Sequence, residues 1–165
     1  MHILFVCTHN RCRSILAEAV ARHLSLASTQ VLQACSAGSH PQGKVYPLAL
    51  DYLAKHGIAT DDLNSQSWHD FTDVEFDIVI TVCDSAAGES CPLYLGQALK
   101  VHWPLPDPSK LTGALQNHAF DAVIDTLLSR IGAANAALQH PMSVSQFQQQ
   151  LNTIALNIPA PVFNQ

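Results

Sequence analysis

The chain has 165 residues, 48% of them hydrophobic, which is enough for one domain with a sizeable core. Eight Lys and Arg against thirteen Asp and Glu give a formal net charge of −5, which argues against nucleic acid or an anionic membrane as the main partner. No apolar run approaches the ~20 residues of a bilayer span, and Met1 to Val6 lacks the basic and long apolar regions of a secretory leader.

Residues 2–6 form a short apolar run, the pattern of a buried strand. A loop from Cys7 to Arg13 follows. Ser14 is then expected to cap a helix with Ile15, Leu16, Ala19, Val20 and Leu24 on one face. Residues 31–35 read as a second strand, and Gly38 to Gly43 as turns. Pro47 fits the first turn of a helix burying Tyr46, Ala49, Leu50, Leu53 and Ala54, with Gly57 closing it. Residues 77–82 are the clearest buried strand, followed by a long loop from Cys83 to Gly96. A fourth strand is expected over 98–103. Pro104 to Pro108 holds three prolines in five residues, so it is neither helix nor central strand. Phe120, Val123, Ile124, Leu127, Leu128 and Ile131 then recur at helical spacing, and Val144, Phe147, Leu151 and Ile154 mark one more amphipathic helix over 143–157. Trp68, Phe71 and Phe76 read as core, and His23 and His102 as partly buried structural residues.

Strands alternate with helices, so the class is α/β with a mainly parallel sheet. Such sheets place sites at the carboxyl ends of their strands. Three chemically loaded segments fall at such ends: Cys7 to Ser14, Cys83 to Cys91, and Pro104 to Pro108.

The first reads Cys7-Thr8-His9-Asn10-Arg11-Cys12-Arg13-Ser14. Backbone N–H groups of a strand-to-helix loop can converge on one point, and the helix adds its positive end. Arg13 brings a planar fork of donors to the same anion. That field favours the thiolate of Cys7, and the Ser14 hydroxyl can donate to it. Alone, Cys-x5-Arg is a short pattern that also arises by chance. The strand before it and the helix after it give it weight. Proline on both sides fixes the aim of Asp107, as a general acid requires, although Asp-Pro is also an ordinary turn.

The loop resembles the Cys-x5-Arg-Ser signature shared by low-molecular-weight protein tyrosine phosphatases and the thioredoxin-coupled arsenate reductases of the same superfamily. The resemblance runs from Met1 to about Gly132. It implies a three-layer sandwich with a four-stranded parallel sheet flanked by helices, with residues 1–140 as the enzyme domain. Residues 141–165 would be a C-terminal extension of one helix plus tail. It implies Cys7 as nucleophile, Arg13 as oxyanion ligand and Ser14 as the group tuning the thiolate. Thr8, His9, Asn10, Arg11, Cys12 and Arg13 form the oxyanion cradle, with Asn10 bracing it. Asp107 matches the general acid. His9 departs from the small residue usual at its position, and Ile15 from the proline that usually follows the phosphatase signature. The phosphatase aromatics after Asp-Pro are replaced by Ser109.

The stretch from Thr81 to Pro92 resembles the redox segment of the arsenate reductases. It implies that Cys83 attacks a Cys7–arsenate adduct, that arsenite leaves, and that Cys91 then takes over the disulfide. Thioredoxin, or glutaredoxin with glutathione, would reset the pair. A disulfide holds Cα atoms within ~7 Å, so Cys83 can reach Cys7 and Cys91 in turn only if its loop moves. The competing reading leaves Cys83 and Cys91 as one buried and one surface thiol without exchange.

The expected function is therefore reduction of arsenate, with phosphate and sulfate as analogues, by an enzyme that needs no cofactor. A phosphatase acting on phosphotyrosine or small phosphoesters is the alternative, and a non-catalytic oxyanion-sensing module a more distant one. Five cysteines without an export signal place the chain in the reducing cytoplasm. Cys35 and Cys12 are expected to pack as small hydrophobes. No metal is expected: the histidines lack ligand spacing. Asn10, Glu18 and Ser36 match only part of a monovalent-cation arrangement, with Gln66 where a carboxylate belongs.

Overall fold

The apolar run that opens the sequence is an inner strand of the sheet. In the computed structural model, which describes residues 1–26, 32–89 and 95–163, β1 (His2–Cys7) lies between β2 (Gln33–Gly38) and β3 (Ile78–Thr81). Outside β3 lies β4 (Leu99–His102). Every pairing is parallel and the order is β2-β1-β3-β4. Parallel strands need crossovers, so helices cover the sheet and the inner strands lose their polar alternation. Ile3 to Val6 and Ile78 to Ile80 are accordingly no more than 1% exposed.

The three crossovers carry α1 (Arg13–Ser25), α2 (Pro47–Lys55) and a four-residue α3 (Asp84–Ala87), and α4 (Gly113–Ala137) follows the last strand and packs on α1. Pro47 fits the first turn of α2 because it needs no N–H partner there. Gly57 ends that segment at φ +71°, a conformation other side chains rarely adopt. The chain leaves β1 for β2 on one side and returns past β1 to β3 on the other. The carboxyl end of β1 is therefore the point where the connections diverge, leaving a crevice there.

Several boundaries differ from expectation for local reasons. β2 runs on to Gly38 because its ladder with β1 continues as far as the Cys7–Gly38 pair. Residue 31, where it was expected to start, lies outside the described residues. The segment after Cys83, expected to be loop, begins with α3, too short to show helical periodicity in sequence. Ser14 does not cap α1, whose first residue is Arg13 and whose N-cap is Cys12. His102 is exposed on β4 and bonded to Thr81 and Asp84 rather than partly buried. Trp68 and Phe76 join the core as expected.

The last helix, α5 (Val144–Asn157), starts with a reciprocal cap between Ser143 and Gln146. It covers β4, an edge strand that would otherwise expose its backbone groups. Phe147 and Leu151 are fully buried in the same core as the sheet, and the Trp103 indole donates to the Leu151 carbonyl at 2.9 Å. No helix among the described residues is long and apolar enough to cross a membrane.

If α5 belongs to the one core, Phe147→Ala lowers the unfolding free energy by about 3–5 kcal/mol in urea denaturation. A loss below about 1 kcal/mol would show the helix to be peripheral.

Candidate active site

Cys7 ends β1, 4% exposed, and the chain then turns back on itself through Thr8 to Cys12. The turn needs a left-handed residue, and Asn10 supplies it at φ +41°, which asparagine tolerates better than most. The loop carbonyls are engaged from outside the turn. Those of Thr8, His9 and Arg11 accept from the amides of His40, Gln42 and Tyr46 at 2.8–3.1 Å, and Cys12 accepts from Leu16 at 2.9 Å. Peptide planarity points the next N–H in each unit the opposite way, toward the cleft. Gly38 makes this fit possible. A Cβ there would lie 2.7 Å from the Thr8 carbonyl oxygen and 3.0 Å from the Asn10 Cβ.

A chain of hydrogen bonds supports Cys7 from behind. Asn10, fully buried, uses its whole amide: Nδ2 donates to Ser14 Oγ at 2.9 Å and to Ser36 Oγ at 2.8 Å, and Oδ1 accepts from the Gln66 amide at 2.7 Å. Ser36 donates to Glu18 Oε2 at 2.6 Å, and Arg22 pairs with Glu18 Oε1. Directions follow from the donors available. Asn10 spends both amide protons on hydroxyl oxygens, so Ser14 keeps its own proton for Cys7 Sγ, 3.0 Å away. Burial pushes the Glu18 carboxyl above its ordinary range, while Ser36 and Arg22 pull it back.

Arg13 faces Cys7 from the start of α1. Its Nη2 meets Asp107 Oδ2 at 3.0 Å, and its Nη1 the Leu105 carbonyl at 3.1 Å. The Ser109 amide and hydroxyl donate to Asp107 Oδ1 at 3.1 and 2.6 Å. The proline-bounded strap thus brings its carboxylate to the arginine of the first loop. Between them lies a cleft of about 110 Å³, lined by Cys7, Arg13, Asp107, Ser85 and Lys110 together with the loop. That volume suits a tetrahedral oxyanion.

The other loop residues divide by role. Cys12 is 2% exposed, and burial, with the negative groups Asp107 and Cys7 nearby, pushes its thiol far up. The Arg11 guanidinium lies at the rim, 4.8 Å from the Tyr46 ring centroid, held by Gln42 and Ser109. His9 is exposed, with Nδ1 3.2 Å from the His40 carbonyl, so its bulk is at the rim as well.

Cys83 caps α3, 3% exposed, and its sulfur accepts from the Ala86 amide at 3.4 Å. Thr8 Oγ1 lies 3.8 Å from that sulfur and donates to Glu89 Oε1 at 3.2 Å. One hydroxyl of the first loop therefore links it to the second cysteine. Cys7, Cys12, Cys35 and Cys83 are all unbridged. Cys91 lies outside the described residues. Cys35 is half-buried near Glu18, and burial raises its thiol.

Sequence reasoning gave no site role to Gly38, Arg22, Glu89 and Ser109. Gly38 closes an apolar strand, where a lone glycine signals close backbone approach. Arg22 stands four positions after Glu18 on one helix, a pairing visible in the sequence. Nothing local marks Glu89, because its partner is 81 positions away.

A parallel α/β sheet that delivers a cysteine, an arginine and a carboxylate to one oxyanion-sized cleft defines a class of cysteine-dependent enzymes acting on tetrahedral oxyanions. The chain belongs to the low molecular weight phosphotyrosine protein phosphatase family, which matches residues 2–144. It is 33% identical over 131 residues to an arsenate reductase of Shouchella clausii (strain KSM-K16), covering 78% of this chain and 91% of the relative. A solved arsenate reductase in the phosphate binding state superposes with a TM-score of 0.68 at 26% identity, over 82% of this chain and 97% of that one. A thioredoxin-dependent arsenate reductase of Corynebacterium glutamicum gives 0.63 at 25% identity, over 84% and 61%.

Gly38→Ala tests the loop's fit without touching a polar group. The added methyl should displace Thr8 and Asn10 and weaken inorganic phosphate binding at least tenfold by calorimetry. Unchanged affinity would mean that the loop is set by other contacts.

Proposed function

We propose that this protein reduces arsenate to arsenite, using Cys7, Cys83 and Cys91 in succession. The observation that carries the reading is the second buried thiol, Cys83, joined through Thr8 to the loop that holds Cys7. Relatives that are arsenate reductases support it. Hydrolysis of a phosphoester ends with water and needs no second sulfur, whereas reduction of arsenate needs two electrons, which a dithiol supplies.

In this reading the oxyanion enters the cleft and takes Arg13 from Asp107. Ser14 and the loop N–H groups hold Cys7 as thiolate, which attacks arsenic. Oxygen leaves as water, protonated from Asp107, and a Cys7 S–As bond forms. The Cys83 thiolate then attacks Cys7 Sγ. The S–As bond breaks with its electron pair on arsenic, arsenite departs, and Cys7 and Cys83 are left as a disulfide. Cys91 attacks Cys83, freeing Cys7, and an external dithiol reduces the Cys83–Cys91 pair. Thioredoxin fits that step, and glutaredoxin with glutathione would serve the same chemistry. We place the reaction in the cytoplasm, where thiols are kept reduced. Phosphate and sulfate would occupy the cleft as analogues.

The test is a coupled assay with arsenate, thioredoxin, thioredoxin reductase and NADPH. Native protein should turn over and Cys83→Ser should fall below about 1% of that rate, while both keep hydrolysing an aryl phosphate slowly. Normal turnover by Cys83→Ser would overturn the relay. Efficient aryl phosphate hydrolysis with no response to arsenate would make the protein a phosphatase. Ser14→Ala should slow iodoacetamide alkylation of Cys7 at neutral pH about tenfold, read by mass spectrometry.

A further inference from the structure

Arg130, on α4, is 1% exposed. Its Nε donates to the Ile158 carbonyl at 2.9 Å, and its guanidinium carbon lies 5.7 Å from the Trp103 ring centroid. Its Nη1 is buried with no hydrogen-bond partner. Among the described residues it makes no ion pair. Burial lowers its pKa, and no neighbouring charge opposes that shift. The carboxyl end of α5 supplies part of a negative charge through the Ile158 carbonyl. That satisfies one N–H and leaves a buried cation with no counter-ion among the described residues, an arrangement that is unfavourable unless something completes it.

Beside the guanidinium lies a groove of about 450 Å³ between the end of β4, α4, α5 and the segment after α5. Pro104, Ala155, Leu156, Pro159 and Ala160 make its walls hydrocarbon, and Asn152 adds an amide. Leu156 is 82% exposed, so a large apolar side chain stands in water there. His102 also borders the groove, but its ring nitrogens are engaged by Thr81 and Asp84. Among the described lining residues this leaves Arg130 as the charge without an opposite partner. The groove shares no lining residue with the Cys7 cleft.

We propose that this groove is a second ligand site, for a small carboxylate with an apolar body. The carboxylate meets the Arg130 guanidinium at Nη1, the nitrogen left without a partner, in a charge-assisted hydrogen bond. The hydrocarbon body covers the wall formed by α5 and Pro159. A compact, strongly hydrated anion would leave those walls wet and so fits poorly. The size and mostly apolar lining with few polar groups are those of small-molecule sites.

Benzoate titrated into ¹⁵N-labelled protein tests this, with benzamide as the neutral counterpart and inorganic phosphate as the compact anion. Saturable shifts are expected at the Asn152, Ala155 and Ala160 amides and at Arg130 Nε–H, with half-saturation near about 1 mM for so small a ligand. Benzamide should bind at least tenfold more weakly, and phosphate should move the Cys7–Ser14 loop instead. No shift at 20-fold that concentration, an equal response to benzamide or phosphate, or benzoate shifts confined to the Cys7–Ser14 loop would each overturn the site. Arg130→Met should abolish binding, but it also removes the contact with Ile158. Ala155→Trp is therefore the second variant, filling the groove while leaving Arg130 in place. Native circular dichroism with the benzoate shifts lost supports the site. Undiminished benzoate binding in Ala155→Trp overturns it.

Discussion

The Asn10 side-chain amide is the constraint on which the cleft depends. It sits in a left-handed turn, fully buried, and each of its hydrogen-bonding groups is spent. A buried amide in that state admits one orientation, because any rotation leaves a donor or acceptor unpaired at a cost of about 1–3 kcal/mol. The fixed orientation has a chemical result. Both protons point at hydroxyl oxygens, so Ser14 must aim its own proton at Cys7, and Ser36 must aim its own at Glu18. The polarity of the whole chain from Arg22 to Cys7 follows from one side chain. The closeness of Gly38 to Thr8 then keeps the turn where that amide can act.

Arg13 and Asp107 form the movable counterpart. Without an oxyanion the guanidinium is occupied, one nitrogen on Asp107 and another on the Leu105 carbonyl. Both partners are partly exposed, so the pair itself contributes little stability. Its value lies in the exchange it permits. A tetrahedral anion competes for the same fork and separates the carboxylate from its cation. Ser109 holds the other carboxylate oxygen, so the carboxylate has a second anchor independent of Arg13.

Much of this was legible in the sequence, and what was not has a common cause. The inner strands announced themselves because parallel strands covered on both faces are apolar without interruption. Cys7, Arg13 and Ser14 could be grouped because they share one loop, and Asp107 because prolines bracket it. The hidden features depend on separation along the chain or on short elements. Glu89 meets Thr8 across 81 positions, and Arg13 meets Asp107 across 94. Four-residue α3 is shorter than the window over which helical periodicity can be recognised. Ser14 had two roles open to it in the sequence, helix cap and donor to Cys7. The structure gives it the second, with its hydroxyl 3.0 Å from the Cys7 sulfur and the cap position taken by Cys12.

The family's chemistry turns on what approaches the first cysteine after it has bonded to an oxyanion. Water resolves a phosphocysteine, and the oxidation state of phosphorus does not change. Arsenic has a stable trivalent state, so a thiol arriving at the same sulfur can send the electron pair of the S–As bond to the metalloid instead. The fold therefore needs no new cradle to change reaction, only a nucleophile that reaches Cys7 in preference to water. In the proposed relay that nucleophile is Cys83, buried at the carboxyl end of β3, the strand beside β1, with its sulfur 3.8 Å from a Thr8 hydroxyl of the cradle. A cap on a four-residue helix is held by few bonds, chiefly the Ala86 amide on its sulfur.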